Sequence, residues 1–116
     1  MKTVYLSIPY SWNPEVSFRV ANEIAAELMA KGDIVFSPIS HSHPIADHLD
    51  AKLRTDSEWW MTQDLYWIQY CDELIVVDLV EYDGTRLIQE SRGVQREYQA
   101  AGDLGLDIQM YIYNGV

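Results

Sequence analysis

The sequence contains one cysteine, Cys71, which excludes an intrachain disulfide framework and a cysteine-based zinc site. A lone thiol fits a reducing compartment, so a cytoplasmic protein is expected. Basic residues are scarce, with 8 Lys+Arg against 18 Asp+Glu and a formal charge of −10. Such a surface repels nucleic-acid polymers and anionic membranes, although a small anionic substrate responds mainly to the local field of its pocket. No apolar run approaches the ~20 residues that span a bilayer. The opening MKTVYLSIPY carries a single Lys and too short an apolar stretch for a signal peptide. There is no Gly-x-Gly-x-x-Gly and no Walker-type phosphate loop, so dinucleotides or nucleoside triphosphates bound in those modes are not expected. What remains is a 116-residue chain with 48% apolar and 22% charged residues, the balance of one globular domain. Its 4 Trp and 8 Tyr fit the handling of a small molecule better than that of a polymer.

Hydrophobic patterning gives an alternation of strands and helices. Thr3 to Ile8 reads as a strand stopped by Pro9. Asn13-Pro14-Glu15 opens a helix with an Asn cap, a first-turn Pro and a first-turn acid. That helix runs through Val16, Val20, Ile24 and Leu28 and closes at Lys31-Gly32. Ile34-Val35-Phe36 reads as a second strand. Residues 37 to about 50, with His41, His43, Pro44 and His48, read as a long loop. A helix is predicted from about Glu58 to Tyr70 on a Met61, Leu65, Ile68 stripe, then a buried strand from Glu73 to Val77. Asp78 to Glu90 reads as a loop turning at Asp83-Gly84. Ser91 caps a helix with Val94, Tyr98 and Ala101 on one stripe, and Asp107 to Tyr113 reads as the last strand. The order predicts an α/β domain: a single-domain, Rossmann/flavodoxin-like three-layer α/β/α sandwich with right-handed crossovers and a mostly parallel sheet of about four or five strands. Ligands of such sheets bind beyond the carboxyl ends of the strands. That draws attention to the segments after Ile8 and Val77 and to the helix start at Ser91.

Two carboxylates interrupt faces that should be buried. Glu97 lies three residues after Val94 and four before Ala101, and Asp64 lies between Trp60 and Trp67 on its helix. Either each is a rim residue, with Glu97 reaching solvent and Asp64 bonding a nearby loop, or each is held in an apolar setting for chemistry. An apolar wall raises a carboxyl pKa and suits a proton donor. One raised and one ionised carboxyl are the minimum equipment for breaking a glycosidic bond. His41-x-His43 with His48 could ligate a metal, but such a motif in a Pro-containing loop is more often solvated, and neither a metal nor a cofactor is expected. Cys71 reads as a core residue at a helix end, and Asp72 and Glu73 as the helix-to-strand junction.

Three segments together resemble the nucleoside 2-deoxyribosyltransferase superfamily, which includes 2'-deoxynucleoside 5'-monophosphate N-glycosidases and small uncharacterised bacterial and phage relatives. Val4-Tyr5-Leu6-Ser7-Ile8-Pro9-Tyr10 is similar to the opening strand and its ligand-binding loop. Gln63-Asp64-Leu65-Tyr66-Trp67-Ile68 followed by Cys71-Asp72 is similar to an acid-Leu-x-Trp-Leu run. Ser91-x-Gly93-Val94-x-x-Glu97-x-x-x-Ala101 is similar to the nucleophile-bearing helix. The resemblance implies a retaining displacement at the sugar C1', with Glu97 as nucleophile forming a glycosyl-enzyme, Asp64 assisting proton transfer, and Tyr5 orienting Glu97. It implies substrate contacts at Ser7, Ile8, Pro9, Tyr10, Asp78, Ser91 and Gly93. Ser91 matches a position that helps hold a 5'-phosphate in the hydrolases, and a helix start favours an anion. The partner implied is a nucleoside or nucleotide. A homo-oligomer, dimer or tetramer, is also implied, with Trp12, Trp59 and Trp60 as candidate surface aromatics. Relatives commonly have Gly in place of Ile8, which should narrow or shift the pocket. The first loop has no Arg, so Arg86 or Arg92 is expected to stand in for it. The alternative function is a non-catalytic nucleotide-binding module of the same fold.

Overall fold

A computed structural model describes all residues, 1–116. Four strands, β1 (Thr3–Ser7), β2 (Ile34–Phe36), β3 (Glu73–Val80) and β4 (Asp107–Asn114), form one sheet in the order β2-β1-β3-β4, every pair parallel. The helices are α1 (Pro14–Ala30), α2 (Pro38–Ala46), α3 (Ala51–Arg54), α4 (Ser57–Ile68) and α5 (Arg92–Leu104). The chain leaves β1 for β2 on one side and returns to β3 on the other. The switch point of the sheet therefore lies at the carboxyl ends of β1 and β3.

Alternation along the strands divides the core in two. Val4, Leu6, Ile8, Ile75, Val77 and Leu79 face α1 and meet Val20, Ala21, Ile24 and Leu28. Tyr5, Leu74 and Val76 face the other way and meet Ile68 of α4 and Val94 and Ala101 of α5. This is the expected three-layer arrangement. The caps form as their residue types require: Asn13 accepts from Val16 N–H, Asp56 from Trp59 N–H, and Ser91 from Val94 N–H. Gly105, at φ 73°, ends α5 in the left-handed region that an L side chain avoids. No helix is long and apolar enough to cross a membrane.

The structure corrects three readings. Residues 37 to 50 are not one loop, because α2 occupies 38–46. Pro38 stands at the first helical position, where its missing N–H is harmless. Pro44 falls two residues before the last helical residue, Ala46, where it removes a single intrahelical bond. The segment then turns into α3, capped by Asp50. Second, β3 continues past Val77 to Val80, because Arg86 neutralises the buried Asp78 and its backbone bridges Val80. Third, Tyr98 is not on the buried stripe of α5: it is 54% exposed, whereas Glu97 is 5% exposed between Val94 and Ala101.

The remaining surface candidates are tied to their own chain. Trp12 is half-buried and donates to Pro9 C=O (3.2 Å) and Ser17 Oγ (2.8 Å). Trp60 donates to Arg54 C=O (2.9 Å) and meets Trp59 edge-on. Cys71 is buried, and burial, with Asp72 adding to it, pushes its thiol up to about 11, so it is held as an unreactive thiol. Ile24 is 1% exposed at the centre of the α1 layer. Ile24→Ala should destabilise the fold by about 2–5 kcal/mol, read as a lower urea midpoint at unchanged slope.

Candidate active site

The site is built where α5 crosses the carboxyl end of β1. Tyr5 and Ser7, two residues apart on β1, point to the same face, and Glu97 meets them from the second turn of α5. Ser7 Oγ donates to Glu97 Oε1 (2.9 Å), and the Tyr5 hydroxyl donates to Oε2. Tyr5 is fully buried, its ring tilted against Phe36 with centroids 5.6 Å apart. Burial, with Glu97 and Asp64 next in effect, drives its phenol far above the ordinary range, so it remains a donor.

Glu97 is buried, and burial pushes its carboxyl up to about 8. The two hydrogen bonds oppose that rise and the nearby Asp64 adds to it. Asp64 is also buried and receives no hydrogen bond from the protein, and desolvation alone raises it to about 6. The two carboxyls thus both resist ionisation, for the same reason and to different degrees.

Both face one cleft of about 940 Å³ outside the carboxyl ends of the strands, a size typical of small-ligand sites. Ile8, Pro9, Tyr10, Asp64, Ser91, Gly93 and Glu97 line it. Tyr5 and Ser7 stand behind Glu97 and grip it. Asp78 is buried away from the cleft, where its Oδ2 accepts from Arg86 Nε (3.0 Å) and Nη2 (2.6 Å) and its Oδ1 has no partner. Its role in the structure is to hold Arg86, and Arg86 does line the cleft. Ile8 serves both walls, lining the cleft and belonging to the core beneath α1.

Several lining residues escaped the sequence reading. Arg54 and Arg96 join Arg86 and Arg92, so four of the chain's 8 basic residues collect here. Arg96 pairs with Glu58 (2.5 Å), whereas Arg54 and Arg92 make no ion pair. His43 reaches the cleft from α2, a placement that required knowing that α2 exists. His41 lies near the Phe36 ring instead, and no three metal-ligating side chains converge anywhere.

The raised carboxyl of Glu97 has a stability consequence. Its folded pKa of about 8 exceeds the ordinary value of 4.5, so the folded state binds the proton more tightly. Stability is greatest below about pH 4.5 for this group and declines as pH rises towards about 8. Gln cannot ionise, and the hydroxyl of Ser7 or Tyr5 can turn to accept from its amide. Glu97→Gln should therefore leave stability nearly unchanged at pH 4–5 and raise it by on the order of 1–3 kcal/mol at pH 8. Paired thermal melts at the two pH values check this.

With this geometry in place, comparison with known proteins is informative about the fold. The structure is similar to the 2-desoxiribosyltransferase from Leishmania mexicana, with a TM-score of 0.64 and 17% identity over 97% of this chain. It spans 65% of that protein's length. It is similar also to a 2-deoxyribosyltransferase from the psychrotolerant bacterium Bacillus psychrosaccharolyticus, with a TM-score of 0.66 and 20% identity, covering 98% of this chain and 74% of that one. No curated protein sequence matches significantly. A family model described as "Domain of unknown function (DUF1937)" matches residues 2–113, so the chain belongs to the DUF1937 family, here with a deoxyribosyltransferase-like fold.

Proposed function

We propose that the cleft binds a nucleoside or nucleotide and that the protein breaks or exchanges its N-glycosidic bond at C1'. The observation that carries this reading is the Glu97 carboxyl, buried at the cleft wall and gripped through both oxygens by Tyr5 and Ser7. An acid so placed opposes folding at neutral pH. No cation pairs with it, so it is not half of a structural ion pair. The fold shared with two deoxyribosyltransferases and the collection of arginines at the cleft support the same reading.

In the proposed reaction, an ionised Glu97 oxygen bonds to C1' as the C1'–N bond breaks. The electron pair of that bond passes to the base, which takes the proton of Asp64. A water molecule, or the ring nitrogen of a second base, then attacks C1' and frees Glu97, returning its proton to Asp64. Tyr5 and Ser7 hold the carboxylate in line, and the nearby arginines favour a substrate bearing a phosphate.

One feature favours the alternative of a binding module: burial raises the Glu97 carboxyl, which at neutral pH disfavours the ionised form that attack requires. A raised pKa lowers the ionised fraction of Glu97 and so slows a catalyst without silencing it. The reading therefore specifies a pH profile. Both carboxyls are protonated below about 6 and both ionised above about 8, so kcat/KM should be bell-shaped with its maximum between.

The test is chromatographic assay of free base after incubation with a panel of nucleosides and 5'-monophosphates. Base release is expected from the wild type and none from Glu97→Ala with an unchanged fold, and undiminished turnover by that variant would sink the reading. Asp64→Asn should lose roughly 10²–10⁴-fold in rate. Its residual activity should climb with pH instead of peaking, because only Glu97 then titrates.

A further inference from the structure

Tyr10, His43 and Glu15 form a second polar constellation at the cleft that the proposed reaction does not use. Tyr10 follows β1, His43 lies on α2, and Glu15 lies in the first turn of α1, so three separate elements converge. The Tyr10 hydroxyl is 2.6 Å from His43 Nδ1, and His43 Nε2 is 2.9 Å from Glu15 Oε1. The imidazole is fixed on its flanks too. Phe18 lies against it at 4.5 Å between ring centroids and 31° between planes, and Tyr10 meets it edge-on at 5.7 Å. Tyr10 and His43 both line the cleft, whereas the Glu15 side chain is 83% exposed.

The proton positions follow from what each group can do. An ionised carboxylate only accepts, so His43 Nε2 carries a proton and donates it to Glu15. In a neutral imidazole the other nitrogen is then bare and accepts, so the Tyr10 hydroxyl spends its single proton on Nδ1. The Tyr10 oxygen is left with lone pairs only. Burial, with Glu15 and Asp47 contributing, raises the Tyr10 phenol above its ordinary value, which keeps that proton in place.

We propose that the Glu15–His43 pair makes Tyr10 an obligate hydrogen-bond acceptor in the cleft, so that Tyr10 selects ligands presenting a donor, an exocyclic amine of the base or a hydroxyl of the sugar. The inference rests on the nucleoside reading of the cleft and adds a specificity determinant to it. A carbonyl or a bare carbon at the same place faces an oxygen with nothing to donate, and discrimination comes from the unmatched contact. Glu15 and His43 are positioning residues, acting on the ligand only through Tyr10.

Calorimetric titration of the full chain tests this with matched pairs. For the amine source the pairs are 2'-deoxyadenosine against 2'-deoxyinosine and 2'-deoxycytidine against 2'-deoxyuridine. For the hydroxyl source the pair is 2'-deoxyadenosine against 2',3'-dideoxyadenosine, with the 5'-monophosphates of each run alongside. In one source the donor-bearing member should bind about tenfold tighter or more. Tyr10→Phe should bring that ratio to within about twofold, and His43→Leu should shrink it by freeing the Tyr10 proton. A ratio untouched by Tyr10→Phe, or no pair that differs, overturns the proposal while leaving the nucleoside reading standing. Failure of every compound to bind overturns the nucleoside reading and this inference with it. A readout independent of any ligand comes from 15N NMR of the His43 ring at about pH 7.5, where a protonated Nε2 and a bare Nδ1 are expected. A proton on Nδ1 overturns the proposal whatever the binding data show.

Discussion

The contact on which the rest of the site depends is the buried junction of Glu97 with Tyr5 and Ser7. It joins the last helix of the chain to its first strand across 90 and 92 residues of sequence, and it satisfies both oxygens of an acid that the core would otherwise reject. Its geometry also sets the rotation of α5. Placing Glu97 against β1 turns Tyr98 out to solvent, keeps Val94 and Ala101 on the sheet, and aims the capped start of the helix, with Ser91 and Gly93, into the cleft. The two hydroxyl donors lower the carboxyl pKa without overcoming burial. The group therefore stays poised near neutrality rather than fixed in either form.

The electrostatics of the cleft are local rather than global. The chain as a whole carries −10, and yet four of its 8 basic residues line one cleft. Two of the four are committed, Arg86 to the buried Asp78 and Arg96 to Glu58, and two are free of ion pairs. Arg86 differs from the others because its partner is buried and charge-assisted bonds fix two of its nitrogens, so it is a positioned cation, not a mobile one. A net charge of −10 repels polyanions, whose many charges sample the whole field. It has little force against a single phosphate, which at short range meets Arg54 and Arg92 first.

Most of the fold was legible because it follows from short-range rules. Asn13-Pro14, Lys31-Gly32 and Ser91 mark helix ends by their own chemistry, and the apolar runs ending at Ile8 and Val77 mark strands without any partner. Glu97 and Asp64 stood out for the same reason, since each occupied a position where periodicity demanded an apolar side chain. What escaped depends on contacts distant in sequence. Pro44 and three histidines read as loop, but α2 is held by packing against α1, and His43 by Tyr10 and Glu15. Asp78 reads as the start of a loop until Arg86 is seen to return to it, and that return lies in the intervening turn rather than in the strand. The four arginines come from three separate segments, so only the folded chain makes them neighbours.

The two sides of the sheet divide the labour. The α1 side buries a continuous apolar cluster of 11 residues, whereas the α4–α5 side buries 7 and carries Glu97 and Asp64 among them. A domain of this size has a stability of only about 5–15 kcal/mol, against which even one buried acid is a considerable burden near neutral pH. The acid buried on the α1 face, Glu73 at the start of β3, is paired with Lys2 (2.9 Å), and the apolar contacts of this layer offset the burden of the other side. Ser7 lies at the seam, sharing its strand with Val4 and Leu6 of one cluster and Tyr5 of the other. Substitutions deep in the α1 layer, at Ile24 or Leu28, act on stability alone, whereas Leu6 and Ile8 of the same cluster also line the cleft. Substitutions at the Tyr5–Ser7–Glu97 junction trade stability against the poised carboxyl, since removing the acid relieves the fold and, in the proposed reaction, removes the attacking group in the same step.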